Sequence, residues 1–167
     1  AIITDAKNRL YFTGFNSSAG IVVITKEQAF FLIDFRYFEK AKKEVKGIEV
    51  HLLEKTFSQI REILKKFNIE KVLLETEALT VSDFKRYKKE LEGFEINDEN
   101  DLSKNIKKLR MFKSEGEISN IEKAQAITDN AFSHILNYIK AGKTEREIML
   151  EMEFFMRGQG SLGIAFD

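Results

Sequence analysis

The sequence contains no cysteine and no proline, and it has no long apolar run. Without cysteine, the chain can form neither a disulfide nor a thiolate metal site. No window approaches the roughly 18 unbroken apolar residues that indicate a membrane-spanning helix. Proline usually makes up about 5% of a protein, so its absence, together with abundant Lys and Glu, indicates a compositional bias rather than a mechanism.

The start of the chain is interrupted by charge. Asp5, Lys7 and Arg9 break the apolar stretch that a secretory signal peptide requires. Together with the missing cysteine, this predicts a cytoplasmic protein. The first residues, AIITD, have no initiator Met, and the last, GSLGIAFD, look like the start of another strand. We therefore expect a chain truncated at both ends.

Positive and negative charges are equal in number. The 27 Lys and Arg residues balance 27 Asp and Glu residues, so no overall field attracts nucleic acid or an anionic membrane. We expect neither as a partner. With 167 residues, 43% of them hydrophobic, the chain can bury the core of one domain, or of one domain and part of another.

Short β-type runs alternate with helical patterns in the first two thirds of the chain, which predicts an α/β fold. We expect a mixed β-sheet with helices on its faces, the early strands being paired as hairpins, followed by two α-helices. The predicted strands are residues 2–4, 10–13, 21–25, 29–34, 48–53, 71–75 and 94–96, and the predicted helices between them are residues 36–45, a segment from 56, and 80–92.

A polar break at residues 97–101 is the expected domain boundary. It divides the chain into a first domain, residues 1–104, and the start of a second, residues 105–167. Thr56 with Gln59, Ser114 with Glu117, and Thr144 with Glu147 have the spacing of helix-capping boxes. The last two predict a long helix that ends near Gly142 and a second one that begins at 144.

The glycine- and serine-rich segment within YFTGFNSSAGIVVIT, residues 11–25, invites comparison with a phosphate-binding loop. Such a loop needs Lys and Ser or Thr directly after its second glycine, and here Ile21 follows Gly20. A nucleophile elbow, G-x-S-x-G, does not fit either. We interpret the segment as a connection between two strands in which glycine supplies positive φ.

Metal and acid–base sites are weakly indicated. His51 and His134 each lack a second ligand at helical spacing, and residues 98–102 place Leu102 where a calcium loop needs an oxygen ligand. Glu147 and Glu151 share a helix face as ordinary solvated acids. Asp34 and Arg36 at a strand end predict an ion pair, with a partner-facing Arg36 as the alternative.

Several segments match, in order, sequences found in prolidases and aminopeptidase P. YFTGF at 11–15 with SAG at 18–20 is similar to the family's YLTGF and GSAG, and LRMFKSEGEI at 109–118 resembles its LRMIKSEEEI. DFRY at 34–37 resembles TDGRY, although Phe35 replaces the usual glycine. Residues 131–132, 142–145, 153–157 and 163–167 resemble AF, GMTE, EYFMR and GPSFD, with Ala141 in place of the usual proline.

The resemblance implies a two-domain metallopeptidase that cleaves the bond before proline. Such enzymes hold two divalent metals, manganese or cobalt, through two Asp, one His and two Glu that follow the segment at 163–167. No metal or catalytic residue is therefore assigned in this chain, and we expect it to be inactive alone. The family's N-terminal domain contributes to a homodimer and narrows the partner's active-site mouth. Phe15, Arg36 and Tyr37 are the expected substrate-facing residues across that dimer.

Two other functions remain open. A metal-free pseudo-peptidase of the same fold would act as a protein-binding module, and a creatinase-like enzyme would hydrolyse a small amidino compound. The resemblance does not distinguish a dipeptidase from an aminopeptidase, and it does not identify the metal.

Overall fold

The computed structural model describes residues 1–97 and 99–165, which form two compact units, Ala1–Met111 and a second from Phe112 onward. The elements of the first unit are β1 (Ile2–Ile3), α1 (Ala6–Thr13), β2 (Ile21–Ile24), β3 (Ala29–Ile33), α2 (Phe35–Glu44), β4 (Glu49–Leu52), α3 (Thr56–Lys66), β5 (Lys71–Leu73), α4 (Val81–Glu90), β6 (Glu95–Asn97) and α5 (Asp101–Met111). Those of the second are α6 (Glu115–Tyr138) and α7 (Glu145–Gly158).

The main sheet has four strands in the order β1-β2-β3-β4. β2 and β3 form an antiparallel hairpin in which Val22 lies opposite Phe31, and β1 is antiparallel to β2. β4 lies parallel to β3, since α2 carries the chain back along the sheet. β5 and β6 form a second, parallel pair, and a parallel bridge joins Ile2 to Leu74. The predicted mixed α/β sheet is confirmed.

Both faces of the main sheet are covered by helices, which explains why its strands are almost wholly apolar. Because neighbouring side chains of a strand point to opposite faces, Ile2 packs into one core and Ile3 into the other. The first core is completed by α3, α4 and the residue after α4, through Ile60, Ile63, Leu64, Tyr87 and Leu91. The second is completed by Phe15, Ala41, Val45 and Ile106.

The predicted strand at residues 10–13 is wrong, because these residues form the second half of helix α1. The Asp5 side chain accepts a hydrogen bond from the backbone N–H of Asn8, and Gly14 ends the helix with a φ of 66°. The two caps satisfy free backbone groups at the ends of the helix. This stabilisation outweighs the preference of Leu, Tyr, Phe and Thr for strands. Residues 14–20 therefore connect a helix to a strand and not two strands, which also corrects the hairpin interpretation of this segment.

The first of the three predicted capping boxes, Thr56 with Gln59, is not formed. Thr56 is already helical, and α3 has Lys55 at its N-cap without a side-chain bond. The Gln59 amide oxygen nevertheless accepts from the backbone N–H groups of Glu54 and Lys55. These bonds go to the residues before Thr56 and not to Thr56 itself, so they are not those of a capping box, although α3 begins where the sequence predicts.

In the second unit, the capping boxes at Ser114 and Thr144 are both confirmed. α6 and α7 are joined by a hydrogen bond of 2.7 Å between His134 Nε2 and Glu151 Oε1. The ring of His134 also stacks on Phe155 at a centroid distance of 4.2 Å. The long helix ends at Tyr138, a little before the predicted Gly142.

Three further sequence-based expectations concern the predicted linker, the predicted final strand and the domain boundary. Asp98, in the predicted linker, lies outside the described residues. The predicted final strand is wrong for residues 160–165, which form turns and irregular backbone, and its residues 166 and 167 lie outside the described residues. The domain boundary predicted at 104/105 falls inside α5 and stays a prediction.

None of the helices in residues 1–97 and 99–165 has the length and apolar character needed to cross a membrane.

A side chain at position 20 should destabilise the first unit more than one at position 14. Gly20 and Gly14 both have positive φ, 127° and 66°, which strains any other residue. A Cβ on Gly20 would also lie 2.8 Å from the ring of Phe31 and 3.2 Å from the Leu32 carbonyl oxygen, whereas Gly14 has open space. We expect Gly20→Ala to lower the free energy of unfolding by about 3 kcal/mol and Gly14→Ala by about 1 kcal/mol.

Urea denaturation measures both losses. The control is Gly116→Ala, at an uncrowded position in α6, which should not destabilise because alanine favours a helix more than glycine does. Equal losses at positions 14 and 20 would contradict the packing argument.

Tyr87 predicts a loss of stability at alkaline pH. Its ring packs edge-on against Phe57 at 5.2 Å, and burial raises the pKa of its phenol to about 12 from an ordinary value of 10.0. The folded state therefore favours the neutral phenol, so this stabilisation is complete below pH 10 and is lost as the pH rises toward 12. Between about pH 9 and about pH 11.5, wild type should lose about 2 kcal/mol more than Tyr87→Phe. Parallel stability curves for the two proteins would refute the assignment.

Candidate functional site

The three residues that the sequence selects lie together in the first unit, where the connection at 14–20 meets the start of α2. The ring of Phe15 packs edge-on against Tyr37 and against Phe31, with centroid distances of 6.3 Å in both cases. Phe15 is only 4% exposed, whereas Tyr37 is half-buried and Arg36 is exposed. Phe15 thus supports the surface from below, and Arg36 and Tyr37 form it.

Asp34 fixes the position of Arg36. As the N-cap of α2, its carboxylate accepts from the backbone N–H of Arg36 at 3.0 Å. The same carboxylate accepts from the guanidinium, at 3.1 Å from Nε and 2.5 Å from Nη2. These bonds hold the pKa of Asp34 below its ordinary value and raise the pKa of Arg36. The predicted ion pair is present, and Arg36 Nη1 takes no part in it.

Tyr37 is held by a serine of the facing connection. Its hydroxyl lies 2.9 Å from Ser18 Oγ, and this hydrogen bond is the main cause that lowers the pKa of the phenol. The guanidinium carbon of Arg36 lies 5.4 Å from the centre of the Tyr37 ring, within the range of a cation–π contact. The glycine-rich segment therefore does contribute to a surface, through Ser18, although it is not a phosphate loop.

Phe35 is the residue of this surface that the sequence reasoning did not select. It is 78% exposed at the first position of α2, directly between Asp34 and Arg36. A single exposed apolar side chain is common on protein surfaces, so Phe35 adds an apolar face beside Arg36 but does not by itself identify a contact surface. Its aromatic ring, where the family resemblance leads one to expect glycine, was the available indication.

The groups on this surface are donors and an apolar face, and none is arranged to cleave a bond. Arg36 offers a charged donor, Tyr37 a hydroxyl and Phe35 an apolar face. The hydroxyl of Ser18 bonds to a phenol and not to a base, so it is not activated as a nucleophile. An arrangement of this kind can orient a peptide or another polar chain, and it cannot cleave one.

The remaining candidates from the sequence are engaged by neighbouring groups of the protein. His51 Nε2 lies 2.7 Å from Glu49, and His134 lies 2.7 Å from Glu151. Glu147 accepts from the backbone N–H of Thr144 in its capping box, so it does not act with Glu151 as an acid pair. Within residues 1–97 and 99–165, no three His, Asp or Glu side chains meet in a group that could hold a metal ion.

A shallow cleft of about 350 Å³ lies between the turn after β2 and the segment after α3. It is lined by charged groups of both signs and by Phe67, and its Lys71 pairs with Glu95 at 2.8 Å. No set of polar groups converges there, so the surface of Arg36 and Tyr37 remains the better candidate.

Sequence comparison divides the chain as the structure does. Residues 1–112 match the creatinase/prolidase N-terminal domain, and residues 119–167 match metallopeptidase family M24. The uncharacterized peptidase YqhT of Bacillus subtilis is 37% identical over 99% of this chain, which corresponds to 46% of that protein. The chain thus spans about half the length of the curated relatives that it matches.

Solved structures give the same result. An Xaa-Pro dipeptidase from Bacillus anthracis superposes on 99% of this chain with a TM-score of 0.90 and 34% identity, using 46% of its own length. Prolidase from Pyrococcus furiosus matches 99% of this chain and 50% of its own, with a TM-score of 0.86 and 30% identity. Matched in both of its parts, the chain belongs to the creatinase/prolidase family by its N-terminal domain, which is followed by residues that match metallopeptidase family M24.

Proposed function

We propose that the chain is the N-terminal, noncatalytic part of an Xaa-Pro dipeptidase or aminopeptidase. The observation that carries this proposal is a match over 99% of the chain to relatives of which it spans only about half. The part that it shares with them includes residues 1–112, which match the creatinase/prolidase N-terminal domain. Its task, in this proposal, is to form a homodimer and to restrict which substrates reach the active site. We propose that the protein acts in the cytoplasm, because a chain without cysteine does not depend on an oxidising compartment.

The M24 match implies a divalent metal in the whole enzyme, and we propose a pair of manganese or cobalt ions. Such a pair would supply an activated water and would polarise the scissile carbonyl. The described residues do not fit this role, since they bring no three potential ligands together. We therefore assign the metal ligands to the other half of the enzyme and expect this chain alone to be inactive.

Arg36 and Tyr37, supported by Phe15, are proposed to face the substrate of the partner subunit. Asp34 neutralises much of the Arg36 charge but leaves Nη1 available for a peptide carbonyl or carboxylate. Both side chains are held by hydrogen bonds before any ligand arrives, which reduces the entropy lost on binding. A rigid rim of this kind would admit a short peptide and exclude a folded one.

The first experiment determines the sequence that follows Asp167 in its reading frame and assays the protein so extended. We expect two Asp, one His and two Glu in that part, and release of the N-terminal amino acid from Xaa-Pro peptides after addition of Mn²⁺ or Co²⁺. Loss of release with a chelator and no release by the present chain alone complete the expected pattern. Absence of the five ligands, with binding of a specific protein partner, would replace the proposal by a pseudo-peptidase.

The second experiment replaces Arg36 by Gln in that extended protein. If Arg36 orients the substrate, KM for an Xaa-Pro dipeptide should rise about tenfold with kcat within about twofold, since a charge-assisted hydrogen bond is lost from binding. Arg61→Gln is the control, because Arg61 is another surface arginine with a single carboxylate partner, Glu90 at 3.9 Å. An unchanged KM for Arg36→Gln would remove Arg36 from the site.

Action across a dimer has its own test. A protein with Arg36→Gln is combined with one that carries a substituted metal ligand, after light scattering has shown a dimer. If Arg36 serves the partner's site, a mixed dimer contains one site free of both defects and regains activity at low substrate concentration. If Arg36 serves its own subunit, every site keeps one defect and nothing is regained. A monomer in solution would refute the dimer directly.

A further inference from the structure

Glu75 is a buried carboxylate between two elements of the first unit. Its side chain is 1% exposed, and it lies two residues after the end of β5. Its Oε2 accepts from the backbone N–H groups of Thr4 and Asp5, the latter at 2.8 Å, where the chain passes from β1 into α1. Because two fixed backbone donors occupy Oε2, the Oε1 atom is the one that faces α1.

Asn8 joins this carboxylate to the last turn of α5. Its Nδ2 donates to Glu75 Oε1 at 2.7 Å, and its Oδ1 accepts from Arg110 Nη1 at 2.9 Å. A flipped amide would place its oxygen against the carboxylate and its NH₂ group against the guanidinium. The orientation of the amide is therefore fixed on both sides.

We propose that Asn8 is a positioning residue for α5. The hydrogen bonds from Asn8 to Glu75 and from Arg110 to Asn8 form a relay, and the buried carboxylate of Glu75 determines which group donates in each bond. α5 is attached elsewhere by Ile106, which is 2% exposed in the second core. The relay acts at the other end of the helix, in the turn from which the chain leaves the first unit. Only Phe112 and Lys113 separate Met111 from Ser114, the N-cap of α6.

The relay makes an unusual prediction for two single substitutions. In Glu75→Gln, the amide oxygen has to face Thr4 and Asp5, so its NH₂ group faces Asn8. Asn8 must then turn its oxygen inward and its NH₂ group toward Arg110, which leaves two donors opposed. In Asn8→Asp, two carboxylates oppose each other at a spacing that is now 2.7 Å. Each single variant breaks the relay once.

The double variant Asn8→Asp/Glu75→Gln restores every hydrogen bond. The amide oxygen introduced at position 75 accepts from the two backbone N–H groups, and the NH₂ group beside it donates to the carboxylate introduced at position 8. The other oxygen of that carboxylate accepts from Arg110. The net charge equals that of wild type. A residue that merely fills space at either position would give no such rescue, so the rescue identifies the relay.

The measurement is amide hydrogen exchange in the last turn of α5, together with urea denaturation. Each single variant should raise the exchange rate of Arg110 and Met111 about tenfold, while the double variant should return within about twofold of wild type, since a hydrogen bond to a charged group is involved. The amides of Ile63 and Leu64 in α3 report global unfolding and should change less. Arg110→Gln, at a half-buried site, should raise the same rates and keeps the test available if a buried variant does not fold.

Two results would overturn the proposal. Position 8 lies in the first turn of α1, where an aspartate should stabilise the helix through its dipole; stabilisation by Asn8→Asp alone would show that no relay opposes it. A double variant no more protected than the worse single variant would do the same. Glu77→Gln is the matched control, because it removes a carboxylate that binds Asn100 and Lys107 of the same helix region and should not rescue Asn8→Asp. None of these outcomes depends on peptidase activity.

Discussion

The carboxylate of Glu75 is the point on which the first unit depends. Burial of an ion is unfavourable unless hydrogen bonds replace its water, and Glu75 receives them from Thr4 and Asp5, which connect β1 to α1, and from Asn8 of α1. The β5 segment is thereby tied to the first residues of the chain, beside the bridge between Ile2 and Leu74. Backbone donors at the start of a helix carry a partial positive charge, so the same bonds also stabilise α1.

A buried cation accompanies the buried carboxylate. Arg9, one residue after Asn8, is 5% exposed and donates to the backbone carbonyls of Thr4 and, at 3.0 Å, Ser17. Burial lowers the pKa of Arg9, while Asp5 and Glu75 raise it. Since Ser17 precedes the serine that holds Tyr37, the position of the candidate surface follows from the packing of α1. Arg9 of α1 thus both stabilises the interior and positions the segment that carries Ser18.

The sheet was predictable from sequence because its strands are buried on both faces. In β3, Phe30 and Leu32 face one core and Phe31 and Ile33 the other, which requires an unbroken apolar run that the sequence displays. α1 was not predictable in this way, since Leu10, Tyr11, Phe12 and Thr13 favour strands and only the caps at Asp5 and Gly14 oppose them. Propensity is a weak constraint, and two caps with a buried Arg9 outweigh it.

The candidate surface was predictable in part, for a related reason. The ion pair of Asp34 and Arg36 follows from local spacing, because an N-cap carboxylate reaches the second residue of its own helix. The bond between Tyr37 and Ser18 joins residues 19 positions apart in the chain, so only the tertiary fold brings them together. Glu75 could not be recognised at all, since one glutamate among twenty carries no mark of burial before its donors are placed.

The polar groups of this surface are held in place by each other, which distinguishes them from the catalytic groups of a peptidase. A catalytic group has to change its protonation or its bonds during a cycle, whereas each polar group here is engaged in holding its neighbour: Asp34 holds Arg36, and Ser18 holds Tyr37. Such groups discriminate by shape and by fixed hydrogen-bond direction, which costs little entropy when a ligand binds. A unit built in this way fits the substrate-selecting role that we propose for it, in which the reacting groups belong to another part of the enzyme.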